Sequence, residues 1–250
     1  MKRQLLTSLI STAATIVTLG IFSSSAFAAS LVPQREGEIN VGLGCIDPDP
    51  DKCIDINSMP FIESIESLTD STTGSRSRLF VDNLSTENTY GSGTNAIKFE
   101  TKDAGTNPEA FWFRPSEHNE DTGYAEETGQ LEVGTFAFTF TEMLDELTVD
   151  YFDTESKKST GVIAINGIAL DDPYWVPKGK DSNIFSQTFF NVSSITLKLG
   201  KDHKRGTGDG VDFNINKHQD IPEPTALLSL LAISLFGASS VKKGKKKARN

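Results

Sequence analysis

From about residue 60 onward, apolar and polar positions alternate in short runs with the two-residue period of half-buried strands. Thr135 to Phe140 sets Phe136, Phe138 and Phe140 on one face. Leu147, Val149 and Tyr151 resume the alternation after a polar break at Glu142 to Glu146, which predicts a hairpin between the two runs. Val162-Ile163-Ala164-Ile165 meets Ile168-Ala169-Leu170 across Asn166-Gly167, and Asn-Gly between apolar runs is the strongest short hairpin signal. Ile195, Leu197 and Leu199 alternate, as do Val211, Phe213 and Ile215, and Arg78 to Asp82, Ala96 to Thr101 and Ala110 to Arg114 are further strand candidates. Trp112, between Phe111 and Phe113, is expected to be divided with them between core and surface by strand alternation. No long amphipathic helix interrupts this series and no fixed-period repeat is present. The expected fold is all-β, an antiparallel β-sandwich of jelly-roll type, since eight or so short strands in about 155 residues suit two packed sheets. Residues 61–220 would form it, with a long polar loop at Glu117 to Gln130 of the kind that often carries binding.

Both ends read as addresses. Met1-Lys2-Arg3, a mostly apolar run to Phe22 and the small-x-small site Ala26-Phe27-Ala28 describe a signal peptide, 1–28, cut by signal peptidase between Ala28 and Ala29. At the other end Pro222-Glu223-Pro224 precedes an uncharged run, 225–241, and the basic tail 242–249. That run would span roughly 25 Å as a helix, near the lower limit for crossing a bilayer. The six basic residues after it hold the C-terminus inside and leave everything upstream outside. The two prolines keep the segment just outside the membrane extended and open to a protease. A plain single-pass anchor is the alternative, although it has no need of the Pro-Glu-Pro step. In order and content, residues 221–250 resemble the PEP-CTERM sorting signal of Gram-negative bacteria. The resemblance implies export, transient residence in the inner membrane and processing by an exosortase near Pro222-Glu223-Pro224, with the mature form at the cell surface or outside.

Without its ends the chain is strongly acidic: residues 29–221 keep 16 of the 24 basic and 33 of the 34 acidic residues, a balance near −17. Such a charge keeps a secreted protein soluble, repels nucleic acid and anionic membranes, and attracts divalent cations. A merely solvated acidic surface accounts for it equally well. Cys45 and Cys53, the only cysteines of an exported chain, are expected to form a disulfide within an N-terminal arm, 29–60. Between and beyond them Asp47, Asp49, Asp51 and Asp55 alternate, a spacing that could direct several oxygens at Ca²⁺, though the run lacks the Gly and bidentate Glu of an EF-hand loop. A stapled polar loop without metal is the plainer alternative.

Catalytic signatures are missing. With His118, His203 and His218 the only histidines and no Gly-x-Ser-x-Gly elbow, no nucleophile-base pair can be nominated, and no zinc, P-loop or dinucleotide motif occurs. Two features suit binding instead. Tyr174-Trp175 follows Asp171-Asp172-Pro173, an aromatic face beside acceptors of the kind that holds sugars, unless Trp175 simply caps the core. Gly206 to Asp212 could present Asp209 and Asp212 to Ca²⁺ or a sugar, or merely turn the chain into its last strand.

Leu131-Glu132-Val133-Gly134 opening a Phe-rich strand, Phe152-Asp153-Thr154-Glu155, the run Asn191 to Gly200 and Gly206-Thr207-Gly208-Asp209-Gly210-Val211 together resemble the cyanobacterial LEVG family of PEP-CTERM proteins. The likeness covers most of the mature chain. It implies an exported β-domain without assigned activity and carries over no catalytic residue. The sequence is therefore expected to encode a non-enzymatic surface or matrix protein that contacts exopolysaccharide, with calcium the one candidate ion. An inert structural or adhesive protein with protein partners is the alternative, and a polysaccharide-active enzyme a third.

Overall fold

Two long strands organise the domain in the computed structural model, which describes residues 27–93, 96–101, 110–118, 132–201 and 210–219. β9 (Gly134–Phe152) and β12 (Ile184–Leu199) pair antiparallel along almost their whole length, from Gly134↔Leu199 to Phe152↔Ile184. The hairpin expected inside 135–151 is therefore a single strand. Glu142-Met143-Leu144-Asp145-Glu146 holds no Gly, Pro or Asn to turn the chain, and Leu144 remains fully buried opposite Val192. What the polar stretch marks is a change of face. Buried side chains fall at Phe136, Phe138 and Phe140 before it and at Leu147, Val149 and Tyr151 after it. Between Leu144↔Val192 and Thr139↔Ser194 the register slips, so 140–143 bulge and the ribbon bends.

The halves of β9 take different second partners. β4 (Ile62–Leu68) pairs with the first half and β13 (Asp212–Gln219) with the second. Beyond β12 lie β10 (Gly161–Ile165) and the edge strand β11 (Ile168–Trp175). Beyond β13 lie β8 (Phe111–His118), β5 (Arg76–Asn83), β2 (Gly37–Ile39) and β3 (Cys53–Ile54), while β1 (Phe27–Ser30) pairs with β13. The result is one eleven-stranded sheet, antiparallel except for β2–β3. No α-helix occurs among the described residues, and two short 3-10 segments, Pro50–Lys52 and Ile56–Ser58, lie near the disulfide. Residues 29–60 are woven into the sheet and do not hang from it as an arm, for Leu31, Val32, Ile39, Val41, Ile54 and Met59 join the main core. At its centre Phe113 of β8, Phe138 of β9 and Phe213 of β13 pack with ring centroids 5.1–6.0 Å apart.

Trp112 departs from the expected division between core and surface: it and Phe113 are both fully buried, so β8 is covered on both faces. A small separate sheet, β6 (Asn88–Tyr90) with β7 (Ile97–Phe99), lies over one face, where the Arg114 guanidinium of β8 sits 4.5 Å from the Phe99 ring centre. Tyr90, Ile97 and Phe99 close over Phe80 of β5 as a second apolar cluster, edge-to-face or tilted at 4.8–5.9 Å. A sequence pattern read against one sheet face cannot foresee this second layer.

The described part of the Leu-Glu-Val-Gly motif is a packing junction. Glu132 pairs with the buried Arg114 guanidinium. Val133 is fully buried, and its carbonyl accepts from Ser77 Oγ at 2.6 Å. At Gly134 an added Cβ would lie 2.6 Å from the Phe136 ring and 2.9 Å from Ser77 Cβ, so no side chain fits. The signal peptide through Ala26, most of the polar loop 117–130, Asp209, Pro222, Glu223, Pro224 and the apolar run 225–241 lie outside the described residues. Among those described, no helix is long and apolar enough to cross a membrane.

Candidate binding groove

The Asn166-Gly167 turn forms as expected. Asn166 has φ 53° and Gly167 φ 75°, the left-handed pair that a two-residue hairpin of this twist requires. Asn166 also acts as a clamp. Its Oδ1 accepts from Ser193 N at 2.7 Å and its Nδ2 donates to Asn191 O at 2.9 Å, so one side chain holds both sides of the irregular point in β12. Along β10–β11 the register moves from Ala164↔Ala169 to Val162↔Tyr174, which throws Leu170-Asp171-Asp172-Pro173 out of the ladder as a wide bulge.

That bulge carries Tyr174 toward the N-terminal half of β12. Its ring meets Phe189 edge-on at 5.6 Å, and Gln187 Nε2 donates to its carbonyl at 3.0 Å. Together with Ile165, Phe185, Ser186, Thr188 and Phe190 these residues line an open groove of about 490 Å³. Tyr174 is 52% and Phe190 64% exposed, so the groove holds two aromatic rings open to solvent. The other three residues nominated with Tyr174 do not line the groove. Asp171 and Asp172 are exposed on the bulge, and Trp175 is half-buried on the edge strand. Phe185, Gln187, Phe189 and Phe190 were not nominated. Their signal was in the sequence, since Phe185 to Phe190 places Phe at three of six positions in a run otherwise of Ser, Gln and Thr.

Cys45 and Cys53 are joined in a disulfide, Cα–Cα 5.9 Å. The aspartates of that loop serve its backbone and do not converge. Asp47, Asp49 and Asp55 each accept from the N–H two residues ahead at 2.9–3.0 Å, forming Asx turns that cap the two 3-10 segments or lead into them. Asp47 also receives Lys52 Nζ at 3.0 Å and Gly91 N at 3.1 Å. The Asp49 N–H, followed by Lys52, holds the Asp47 carboxyl below the usual range. Asp51 is exposed within the first 3-10 turn. The loop sits on a buried Glu38–Arg78 pair, with Ile46 N donating to Glu38 Oε2 at 2.6 Å.

Asp212 is not a surface ligand. It lies buried beside Arg114, Asp82 and Glu132, and burial, followed by the Glu132 charge, pushes its carboxyl well above the usual range, which disfavours the anion a cation would need. The carboxylates that do gather are different ones: oxygens of Asp153, Glu155 and Asp181 lie within 4.8 Å of one another. Ser182 N donates to Asp153 Oδ1 at 2.7 Å, tying the loop before β12 to the end of β9. Exposed acidic groups of this sort are common without an ion, and the trio assigns none. The chain matches no protein-family model, no curated protein and no solved structure.

Proposed function

We propose that the chain is an exported cell-surface or matrix protein whose β-domain works by binding exopolysaccharide in the Tyr174–Phe190 groove, without catalysing a reaction. The observation that carries this reading is one open groove lined by both exposed rings and by neutral hydrogen-bonding side chains. Sugar rings stack their C–H faces on aromatics while amides and hydroxyls exchange with their hydroxyl groups. The disulfide fits an oxidising compartment outside the cytoplasm. In this reading signal peptidase cuts after Ala28, which leaves Ala29 and Ser30 paired with Lys217 and Asn216 in β1. Exosortase then releases the domain near Pro222-Glu223-Pro224. We read the bent β9–β12 ribbon as the fold line of a jelly-roll-like sandwich, its two branches meeting at Phe113, Phe138 and Phe213.

The test is retention of the full chain on immobilised exopolysaccharide from the producing cells, with Phe190→Ala as the control for the groove. Saturable retention lost in the variant supports the reading, and none in either protein removes it. A second reading, adhesion to other proteins, draws on Ile168, 70% exposed at the tip of the edge hairpin. It gains if the chain coats cells stripped of polysaccharide and Ile168→Lys abolishes the coating.

A further inference from the structure

We infer that the groove selects uncharged polysaccharide and rejects chains bearing carboxylate or sulfate groups, an inference that rests on the glycan reading above. Its lining brings Tyr174, Phe189 and Phe190 together with Ser186, Gln187 and Thr188, and among the described residues no charged side chain lines it. An anionic sugar lying there would surrender part of its hydration and gain no cation in return. The charges just beyond the lining are unfavourable as well. Ser186 Oγ, in the groove, donates to Asp150 Oδ1, and Asp172 stands two residues before Tyr174 on the exposed bulge. The balance of 33 acidic to 16 basic residues across 29–221 places the groove in a negative field. Like charges facing one another suppress a partner more reliably than any single contact attracts one.

A neutral chain meets none of these penalties. Stacking on Tyr174 and Phe190 needs only the C–H face of a pyranose ring. Ser186 and Thr188 hydroxyls, each both donor and acceptor, suit sugar hydroxyls of either role. Because the groove is open, it suits a segment within a long polymer. The same geometry separates Tyr174 and Phe190 from the neighbouring Trp175, which lies outside the lining.

The experiment separates the cells' extracellular polysaccharide by anion exchange into a neutral and an acidic fraction and titrates each into the full chain in detergent, at low and at high salt. Expected are saturable, salt-independent binding of the neutral fraction, about tenfold weaker in Tyr174→Ala and in Phe190→Ala, as loss of one stacking contact implies, and no binding of the acidic fraction. Trp175→Ala should leave the neutral titration unchanged. Thr188→Lys, exposed and in the lining, should admit the acidic fraction in a salt-sensitive way, and this gain does not depend on any variant losing function. Acidic fraction bound as tightly as neutral, with or without added calcium, overturns the selectivity and leaves the glycan reading standing. Failure of both fractions overturns both.

Discussion

Removing the carboxylate of Asp70 should cost the domain about 3–5 kcal/mol, although Asp70 lies in no groove. Asp70 is fully buried, and its two oxygens take four donors: Thr72 N at 2.7 Å, Thr72 Oγ1 at 2.6 Å, Thr135 Oγ1 at 2.7 Å and Lys198 Nζ at 2.6 Å. It thereby ties the turn between β4 and β5 to the start of β9 and the end of β12. In Asp70→Ala the threonine hydroxyls can turn to other acceptors, but the Lys198 ammonium, 6% exposed, is left buried without its partner. Breaking a buried pair from one side costs about 3–5 kcal/mol, most of it the stranded charge. Asp70→Ala combined with Lys198→Met removes that charge and should recover about 2 kcal/mol or more. Urea unfolding of the four proteins of this cycle measures the coupling. Burial raises the Asp70 carboxyl, but Lys198 and Thr72 outweigh it and leave it below the usual range. A lowered carboxyl stabilises the fold above its unfolded value and loses that contribution as pH falls, so the gap between wild type and Asp70→Ala should narrow below about pH 4. Strict additivity in the cycle, or a gap that widens in acid, would refute the reasoning.

At higher pH the sign reverses for a different set of groups: burial raises the carboxyls of Glu38, Asp82 and Asp212, so the folded state holds protons that the unfolded chain has released. Their contribution is full below the ordinary carboxylate range and is lost as pH rises, and Asp212→Asn should flatten that decline in unfolding curves. Replacing Cys45 and Cys53 with Ser opens a loop of sequence separation 8, for which chain entropy implies a loss of about 2.5 kcal/mol, measured by the same unfolding curves. Gly134→Ala meets the Phe136 ring and Ser77 and should destabilise by about 1–3 kcal/mol, read as a fall in Tm. Asn166→Ala removes the clamp on β12, including its bonds to Asn191 O and Ser193 N, and should cost about 1–3 kcal/mol while weakening retention on polysaccharide.

Local signals in the sequence translated well wherever one residue type has one physical use. Asn166-Gly167 is such a case, since few residues other than these accept the paired positive φ of the turn. Cys45–Cys53 is another. The single strand Gly134–Phe152 was misread because polarity at Glu142 to Glu146 looks the same whether the chain turns or a strand bends with its side chains in water. The discriminating clue was the lack of any Gly, Pro or Asn there. Trp112 was misplaced because alternation assumes one open face, whereas β8 buries Trp112 and Phe113 on both. The groove was half legible. Tyr174 could be named from its neighbours, but Phe189 and Gln187 reach it only through the bulge at 170–173, which no local pattern announces. The alternating aspartates looked like ligands, and their carboxylates turned out to serve neighbouring N–H groups, a use with the same spacing.

β1 lies against β13, Ala29 opposite Lys217, so the first and last described strands are neighbours. The sheet cannot be completed from either end alone. Nearly two hundred residues must emerge before the opening strand finds its partner, and contacts of such long sequence separation make folding slow. Until then the edge of β9 that β13 pairs with stands open to proteases and to other copies of the chain. A chain built this way should depend on escort while it is being made, and its yield should respond to chaperone supply more than to its final stability.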